Sequence, residues 1–240
     1  MKKTLINIIC GFIPERNTRN RIRMRLNYFN TMRKMVKFAK SFSNKKHPQI
    51  KTAIGYGCHN FVVIVDKKFV FKFPIKTNGI EIAEREKRIT DALRPISSIK
   101  IPKMEIINWN NMAVRKYEFV SGRTLESFSK EEKQKYATII TKQLAAFLYE
   151  IGTADPIEIR DLKPKKNDKP NFMHGWCQND LWYNFMMDEK TLKIKAFIDW
   201  EGVSFCDFHK CFTFGKLHNS ILRKSLLEEY TKLYMHKNAK

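Results

Sequence analysis

Residues 178–201 read QNDLWYNFMMDEKTLKIKAFIDWE and contain the most informative pattern in the chain. Two short apolar runs within it, Phe185–Met187 and Ile194–Ile198, predict a pair of strands joined by a turn. Three polar residues bracket these strands: Asp180, Asn184 and Asp199. Because carboxylates are seldom placed at the end of a buried strand for packing alone, the pattern indicates a functional loop.

A second hairpin is predicted upstream, where apolar residues alternate with period two. Residues 61–65 form its first strand, residues 66–68 its turn and residues 69–73 its second strand. Lys72 lies on the face opposite the three phenylalanines of the second strand. The pair Gly55-x-Gly57 precedes the first strand.

A helix is predicted from about Gly79 to Leu93. Its apolar stripe contains Ile82, Ile89 and Leu93, and Glu86 shares that stripe. A carboxylate on the inward face of a helix that follows Lys72 is a candidate partner for that lysine. Glu86 is therefore our first choice and Glu84 the alternative.

The order of elements predicts an α+β fold with two lobes. The remaining predicted elements are strands at Lys103–Ile107 and Met112–Phe119, a long helix at Ser129–Ile151 and helical structure over 207–237. We expect residues 1–50 to form a basic amphipathic helical segment, residues 51–120 a small antiparallel sheet with one helix, and residues 121–240 a mainly helical lobe.

Composition and charge restrict the class of protein. The 240 residues are 43% hydrophobic, which excludes an intrinsically disordered chain, and the net charge of +22 implies an anionic partner. No apolar run reaches the roughly 18 residues of a membrane-spanning helix. Five cysteines without a C-x-x-C pair give no sign of a disulfide framework, and we expect a cytoplasmic protein.

The charge is concentrated at one end of the chain. Residues 1–50 contain thirteen Lys and Arg residues and one acid, Glu15. Apolar residues within this segment recur at helical spacing: Ile22, Leu26, Phe29, Met32, Val36 and Ala39. Such a helix can lie in an anionic membrane surface or pack on the domain behind it, and the sequence pattern fits both.

The ordered motifs resemble those of the protein-kinase-like fold, in the branch of aminoglycoside phosphotransferases and choline kinases. In that family an H-N-D-L or H-G-D-L motif leads to an Asn, and an I-D-[WF]-E motif follows about fifteen residues later. Here Gln178-Asn179-Asp180-Leu181 leads to Asn184, and Ile198-Asp199-Trp200-Glu201 follows. Gln178 replaces the usual His, and the step from Asp180 to Asn184 is four residues instead of five.

The resemblance implies ATP and Mg²⁺ as cofactors and a role for each site residue. Asp180 would act as the catalytic base, and Asn184 and Asp199 as the metal ligands, since their oxygens suit Mg²⁺. The remaining candidates would bind the nucleotide: Gly55, Gly57, Lys72, Glu86 and Glu118. Glu118 belongs to the segment Tyr117–Leu125, which looks like the hinge of those enzymes.

These features predict a phosphotransferase that moves the γ-phosphoryl group of ATP to a hydroxyl. Only 41 residues follow Asp199 and no A-P-E sequence occurs, which favours a small-molecule or saccharide acceptor over a protein. The alternatives are a pseudokinase that binds without turnover and a basic nucleic-acid-binding protein.

The segment Gly11–Arg23 also resembles a short basic stretch near the start of some bacterial cell-surface glycan enzymes. This resemblance implies a lipopolysaccharide or capsule precursor as substrate. Together with the basic helix it implies a peripheral enzyme on the inner face of the cytoplasmic membrane.

Overall fold

The computed structural model describes residue 10 and residues 14–55, 59–75, 77–164, 174–178, 184–207 and 220–238. The chain divides into two compact units. The sheet unit comprises residues 1–83 and 104–119, and the helical unit comprises residues 84–103 and 120–240.

The sheet unit contains two helices and a five-stranded antiparallel sheet. Its elements are α1 (Arg16–Asn27), α2 (Phe29–Lys40), β1 (Ile50–Ile54), β2 (Asn60–Val65), β3 (Phe69–Pro74), β4 (Met104–Trp109) and β5 (Met112–Glu118). The strand order is β1-β2-β3-β5-β4, with antiparallel pairing throughout. The predicted hairpin of Phe61–Val65 and residues 69–73 is confirmed as β2 and β3, while β1 was not predicted.

One face of this sheet is packed against α2. Alternation along β2 and β3 points the side chains of Phe61, Phe71 and Phe73 to this face, where they are buried. They meet Met32 and Met35 of α2 in one apolar cluster. The helix α2 therefore packs on the sheet, which is one of the two arrangements that the sequence of the basic segment fits.

The single amphipathic helix expected across residues 22–39 is instead two helices. Tyr28 leaves the helical conformation, with φ −110° and ψ 18°, and separates α1 from α2. None of the side chains of α1 is buried. Phe29, at the start of α2, is 59% exposed although it was expected on the apolar face.

The helical unit has one apolar core built around two long helices. Its elements are β6 (Arg123–Thr124), α4 (Lys130–Lys135), α5 (Ala137–Thr153), β7 (His174–Gln178), β8 (Phe185–Met187), β9 (Ile194–Phe197), β10 (Val203–Asp207) and α6 (Ser220–Asn238), with short 3₁₀ helices at Leu125–Ser127, Ile157–Leu162 and Trp200–Gly202. The helix α3 (Ile80–Leu93) begins in the sheet unit and continues here.

Three features of the chain differ from the sequence-based expectations. The helix expected at Ser129–Ile151 is broken at Tyr136, whose φ of −104° and ψ of 7° separate α4 from α5. The strands β7 and β10 pair with each other and were not predicted. Ile82 is exposed, and Ala83 lies on the buried stripe of α3 in its place.

Two further observations bear on the sequence-based expectations. Cys177 in β7 is disulfide-bonded, which the cysteine pattern did not indicate.

Among the described residues, no helix combines the length and apolar composition that crossing a bilayer requires.

The close contact between β7 and α5 predicts a stability defect. A Cβ atom on Gly175 would lie 2.4 Å from the carbonyl oxygen and 2.5 Å from the Cα atom of Gly152. Because both are backbone atoms, Gly175→Ala should lower the free energy of unfolding by about 1–3 kcal/mol, measured by urea denaturation. Gly55→Ala is the control, since its nearest contact would be an ordinary 3.7 Å. Equal stability of the two variants would contradict the packing described here.

Candidate active site

Lys72 lies on β3 with its side chain on the face of the sheet opposite the phenylalanines, as predicted. The strand places it between Val62 of β2 and Arg115 of β5. Only 9% of the residue is exposed, and Nζ lies 5.5 Å from the centroid of the Tyr117 ring. A lysine held in this way is not the solvated surface residue that a strand lysine usually is.

Arg115 is a second buried cation on the same face, and the sequence analysis missed it. It stands directly across from Lys72 in the β3–β5 register and is 2% exposed. Its guanidinium donates a 2.7 Å hydrogen bond to the side-chain oxygen of Asn60. Like charges directly opposite each other destabilise a sheet, so the two cations need compensating partners, of which Asn60 is one for Arg115. The alternation of Ala113, Arg115 and Tyr117 could have identified the residue.

Gly55 is connected to Arg115 through Asn60. The amide of Gly55 donates to the carbonyl of Asn60 at 3.1 Å, closing the end of the β1–β2 pair. Gly57 lies outside the described residues.

Glu118 is the last residue of β5 and is exposed, and its neighbour Phe119 donates its amide to the carbonyl of Lys68 at 2.8 Å.

Glu86 is fully buried in α3, whereas Glu84 is exposed. Arginines on either side of Glu86 hold the helix within the helical unit. Arg85 donates to the carbonyl of Val203 at 2.5 Å, and burial lowers the pKa of Arg85. Arg88 contacts both carboxylate oxygens of Asp161, at 2.6 and 3.1 Å. Burial thus distinguishes the two glutamates as the sequence analysis expected.

Asn184 and Asp199 are brought together by the β8–β9 hairpin. Phe185 and Phe197 are directly paired, and one step beyond them the amide of Ile198 donates to the carbonyl of Asn184 at 2.7 Å. Asp199 follows immediately. The structure therefore places an amide side chain and a carboxylate at the same end of one small hairpin.

Asp199 occupies a left-handed conformation, with φ 60° and ψ 65°. Few residues other than glycine adopt this region, although aspartate tolerates it better than most. Trp200 anchors the turn: its side chain is almost fully buried, and its indole nitrogen donates to the carbonyl of Phe197 at 3.0 Å. Strained residues held by buried neighbours are concentrated at functional sites.

Asp180 lies outside the described residues, as does the whole segment 179–183. The residues on both sides of that segment are described. Gln178 pairs with Val203 at the end of the β7–β10 ladder, and Asn184 bonds to Ile198. The described residues that flank this segment, Gln178 and Asn184, therefore both bond to the stretch Ile198–Val203, which includes Asp199.

The candidates consequently fall into two groups. Lys72, Gly55 and Glu118 belong to the sheet unit. Glu86, Asn184 and Asp199 belong to the helical unit. The pairing of Lys72 with Glu86 stays a prediction.

Comparison with known proteins identifies the fold. No protein-family model matches the chain, and no curated protein matches its sequence. Among solved structures, the GDP complex of aminoglycoside 2'-phosphotransferase-IIIa gives a TM-score of 0.66 at 14% identity, over 87% of this chain and 86% of that one. The chain has the fold of aminoglycoside and macrolide phosphotransferases.

Two further structures agree with this assignment. Macrolide 2'-phosphotransferase MphH from Brachybacterium faecium gives a TM-score of 0.60 at 13% identity, over 85% of this chain and 83% of that one. ADP-bound APH(2'')-Ib gives 0.59 at 13% identity, over 85% of each chain. The predicted α+β, protein-kinase-like fold is confirmed.

The hydrogen bond between Asn60 and Arg115 generates a prediction for the sheet unit. Asn60→Ala removes one acceptor from a buried guanidinium, and a hydrogen bond to a charged group contributes about 1.5–3 kcal/mol. We expect the free energy of unfolding to fall by that amount in a denaturant titration. Asn60→Asp keeps an acceptor and should retain stability. A stable Asn60→Ala protein would show that this contact does not hold Arg115.

Proposed function

We propose that the chain is a phosphotransferase that transfers the γ-phosphoryl group of a nucleoside triphosphate, with ATP as the first candidate, to a hydroxyl of a small molecule or saccharide. The observation that carries this proposal is the hairpin that sets Asn184 beside Asp199. The fold supports it, because the structures that share the fold include GDP, ADP and ATP complexes.

The residues at the hairpin fit a magnesium ion. An amide oxygen and a carboxylate oxygen are hard ligands, and both residues are half-buried rather than enclosed, which leaves room for the water and phosphate oxygens that Mg²⁺ retains. We therefore propose Asn184 and Asp199 as its protein ligands. Bound there, the ion would neutralise charge on the phosphate oxygens.

The sheet unit supplies most of the groups proposed to hold the nucleotide, and the helical unit supplies Glu86. Lys72 would pair with its α- and β-phosphates, and a buried lysine needs a carboxylate to orient it, for which we propose Glu86. Arg115 adds positive charge to the same face of the sheet. The turn that begins at Gly55 would admit the phosphates to the backbone, and the backbone near Glu118 would border the base.

Asp180 is the proposed catalytic base. It would accept the proton of the acceptor hydroxyl as that oxygen forms a bond to the γ-phosphorus, while the bond from the γ-phosphorus to the bridging oxygen breaks and the nucleoside diphosphate leaves. The protein's contribution is positioning and charge neutralisation, because the transferred group carries its charge on peripheral oxygens.

Charge favours an anionic acceptor. Structures with this fold hold kanamycin, streptomycin or gentamicin, whose amino groups are cationic at neutral pH. The present chain carries +22, and a strongly positive protein repels cations and attracts anions. We propose a phosphorylated saccharide, such as a lipopolysaccharide or capsule precursor, which the resemblance of Gly11–Arg23 also supports.

Substitution of Asp199, the carboxylate at the end of the hairpin, should reduce phosphoryl transfer without unfolding the protein. Asp199→Ala is expected to reduce phosphoryl transfer by at least about a hundredfold, with the thermal unfolding midpoint preserved. Transfer is measured as release of ADP from ATP in the presence of candidate phosphorylated sugars. Asp180→Ala should also reduce transfer and preserve the thermal unfolding midpoint. Full activity in Asp199→Ala would refute the assignment of Asp199 as a ligand.

The two glutamates of α3 form a matched pair for testing the lysine partner. Glu86→Gln removes the charge of the buried carboxylate and should weaken nucleotide binding or turnover by about tenfold or more. Glu84→Gln changes an exposed residue of the same helix and should leave both unchanged. Calorimetric titration with ADP measures binding, and equal effects of the two substitutions would exclude Glu86.

A pseudokinase is the second candidate, because the step from Asp180 to Asn184 is four positions where the family has five, and Gln178 stands where the family has His. A displacement of about 1 Å in a catalytic group is sufficient to reduce turnover strongly. Nucleotide binding without turnover that depends on Asp180 would identify this class. Turnover that is lost in Asp180→Ala would exclude it.

A further inference from the structure

We propose that a groove between α1, α2 and the sheet docks the protein on the surface of an anionic phospholipid bilayer. The groove has a volume of about 590 Å³. It is formed entirely within the sheet unit, and none of the residues assigned above to nucleotide, metal or acceptor lines it. This inference therefore does not depend on the proposed phosphoryl transfer.

The groove has an apolar floor. Met32 and Val36 of α2 meet Phe61 of β2 at its base, and Leu26 and Phe29 continue the apolar surface at the junction of the two helices. The floor is continuous with the buried cluster beneath the sheet through Met32 and Phe61. Leu26 is 42% exposed and Phe29 is 59% exposed.

The rim of the groove is cationic. Arg25, Arg33, Lys37 and Lys40 line it, and all four are exposed. The guanidinium carbon of Arg33 lies 5.9 Å from the centroid of the Phe29 ring, so a cation and an exposed aromatic ring stand together. Lys37 and Lys40 also line a neighbouring depression that contains Lys45 and Lys46. The positive surface is therefore broader than the groove itself.

The surrounding sequence lacks acidic residues. No Asp or Glu occurs from Arg16 to Val65, a stretch that contributes α1, α2, β1 and β2. The cations that line the groove therefore have no acidic side chain on their own helices, whereas Lys45 in the neighbouring depression lies 3.6 Å from Asp66 in the turn after β2. An external anion would relieve the repulsion among the exposed cations of the groove.

An anionic bilayer satisfies both properties of the groove at once. Its headgroups attract basic residues near the surface, and the acyl boundary accepts exposed apolar side chains. Neither signal alone gives stable attachment, whereas a polybasic patch combined with apolar insertion does. A nucleic acid would use the cations but would leave most of the aliphatic floor, formed by Leu26, Met32 and Val36, without a matching surface.

Vesicle flotation of the full chain tests the proposal. We expect the protein to float with vesicles of phosphatidylcholine and phosphatidylglycerol in a 7:3 ratio, and to stay unbound with phosphatidylcholine alone. Binding should weaken strongly in 0.5 M NaCl, since salt screens exposed charges. Failure to bind the anionic vesicles, or equal binding to both compositions, would overturn the proposal.

Matched variants locate the contact. Arg33→Gln with Lys37→Gln should weaken partitioning about twenty-five-fold, because each basic residue near an anionic surface contributes about fivefold. The control is Lys142→Gln with Lys224→Gln, which removes two exposed charges from the helical unit. If both pairs weaken binding equally, the attraction comes from net charge and the groove is not the docking site.

Phe29 tests the apolar half of the proposal. Phe29→Ser should weaken partitioning at least about threefold, whereas Ile157→Ser, which alters a residue 72% exposed in the helical unit, should have no effect. All these residues are exposed, so circular dichroism should show an unchanged fold. If the protein bound a short RNA but did not float with anionic vesicles, the proposal would be wrong and the partner would be a nucleic acid.

Discussion

The hydrogen bond from the amide of Ile198 to the carbonyl of Asn184 is the contact on which the functional account depends. It closes the hairpin one step beyond the Phe185–Phe197 pair, at the point where both strands reach polar residues. Together with the β8–β9 residue pairs, it holds Asn184 and Asp199, which are fifteen positions apart in the sequence, at one end of the hairpin. Buried Trp200 then fixes the left-handed turn at Asp199. A short apolar hairpin thus places Asn184 and Asp199, two residues with oxygen ligands that are distant in the sequence, at the same end of its two strands.

The sheet unit meets a different physical requirement, which is to keep cations at low exposure. Alternation sends the aromatic residues of β2 and β3 to one face, where α2 covers them. The same alternation sends Lys72 and Arg115 to the other face in direct register. Burial of charge is unfavourable unless hydrogen bonds or opposite charges compensate it. Asn60 provides part of that compensation for Arg115 and also accepts the amide of Gly55.

Much of this organisation could be predicted from the sequence because it rests on local periodicity. The period-two pattern of residues 61–73 predicts the hairpin and the orientation of Lys72. The apolar stripe of α3 predicts the burial of Glu86. Motif order along the chain gave the kinase-like fold, which the structural comparison confirms. These features depend on residues close in sequence or on a spacing fixed by one element.

The features that escaped prediction depend on tertiary contacts. β7 and β10 are paired only because distant parts of the chain meet, and neither shows a strong alternation of its own. Arg115 gains its significance from a register partner 43 residues away. The breaks at Tyr28 and Tyr136 carry no proline or glycine signal, since helix-forming residues continue on both sides. Asp180 and Gly57 lie outside the described residues and stay predictions.

The proposed metal site of Asn184 and Asp199 can be examined by titrating the protein with Mn²⁺ and ADP and following the electron paramagnetic resonance signal of free Mn²⁺. Mn²⁺ can replace Mg²⁺ at oxygen ligands, and its free signal disappears on binding. The account predicts one bound Mn²⁺ for each protein molecule in the presence of ADP, and loss of that binding in folded Asp199→Ala. Binding that persists in Asp199→Ala, or no bound Mn²⁺ with ADP in the unsubstituted protein, would contradict it.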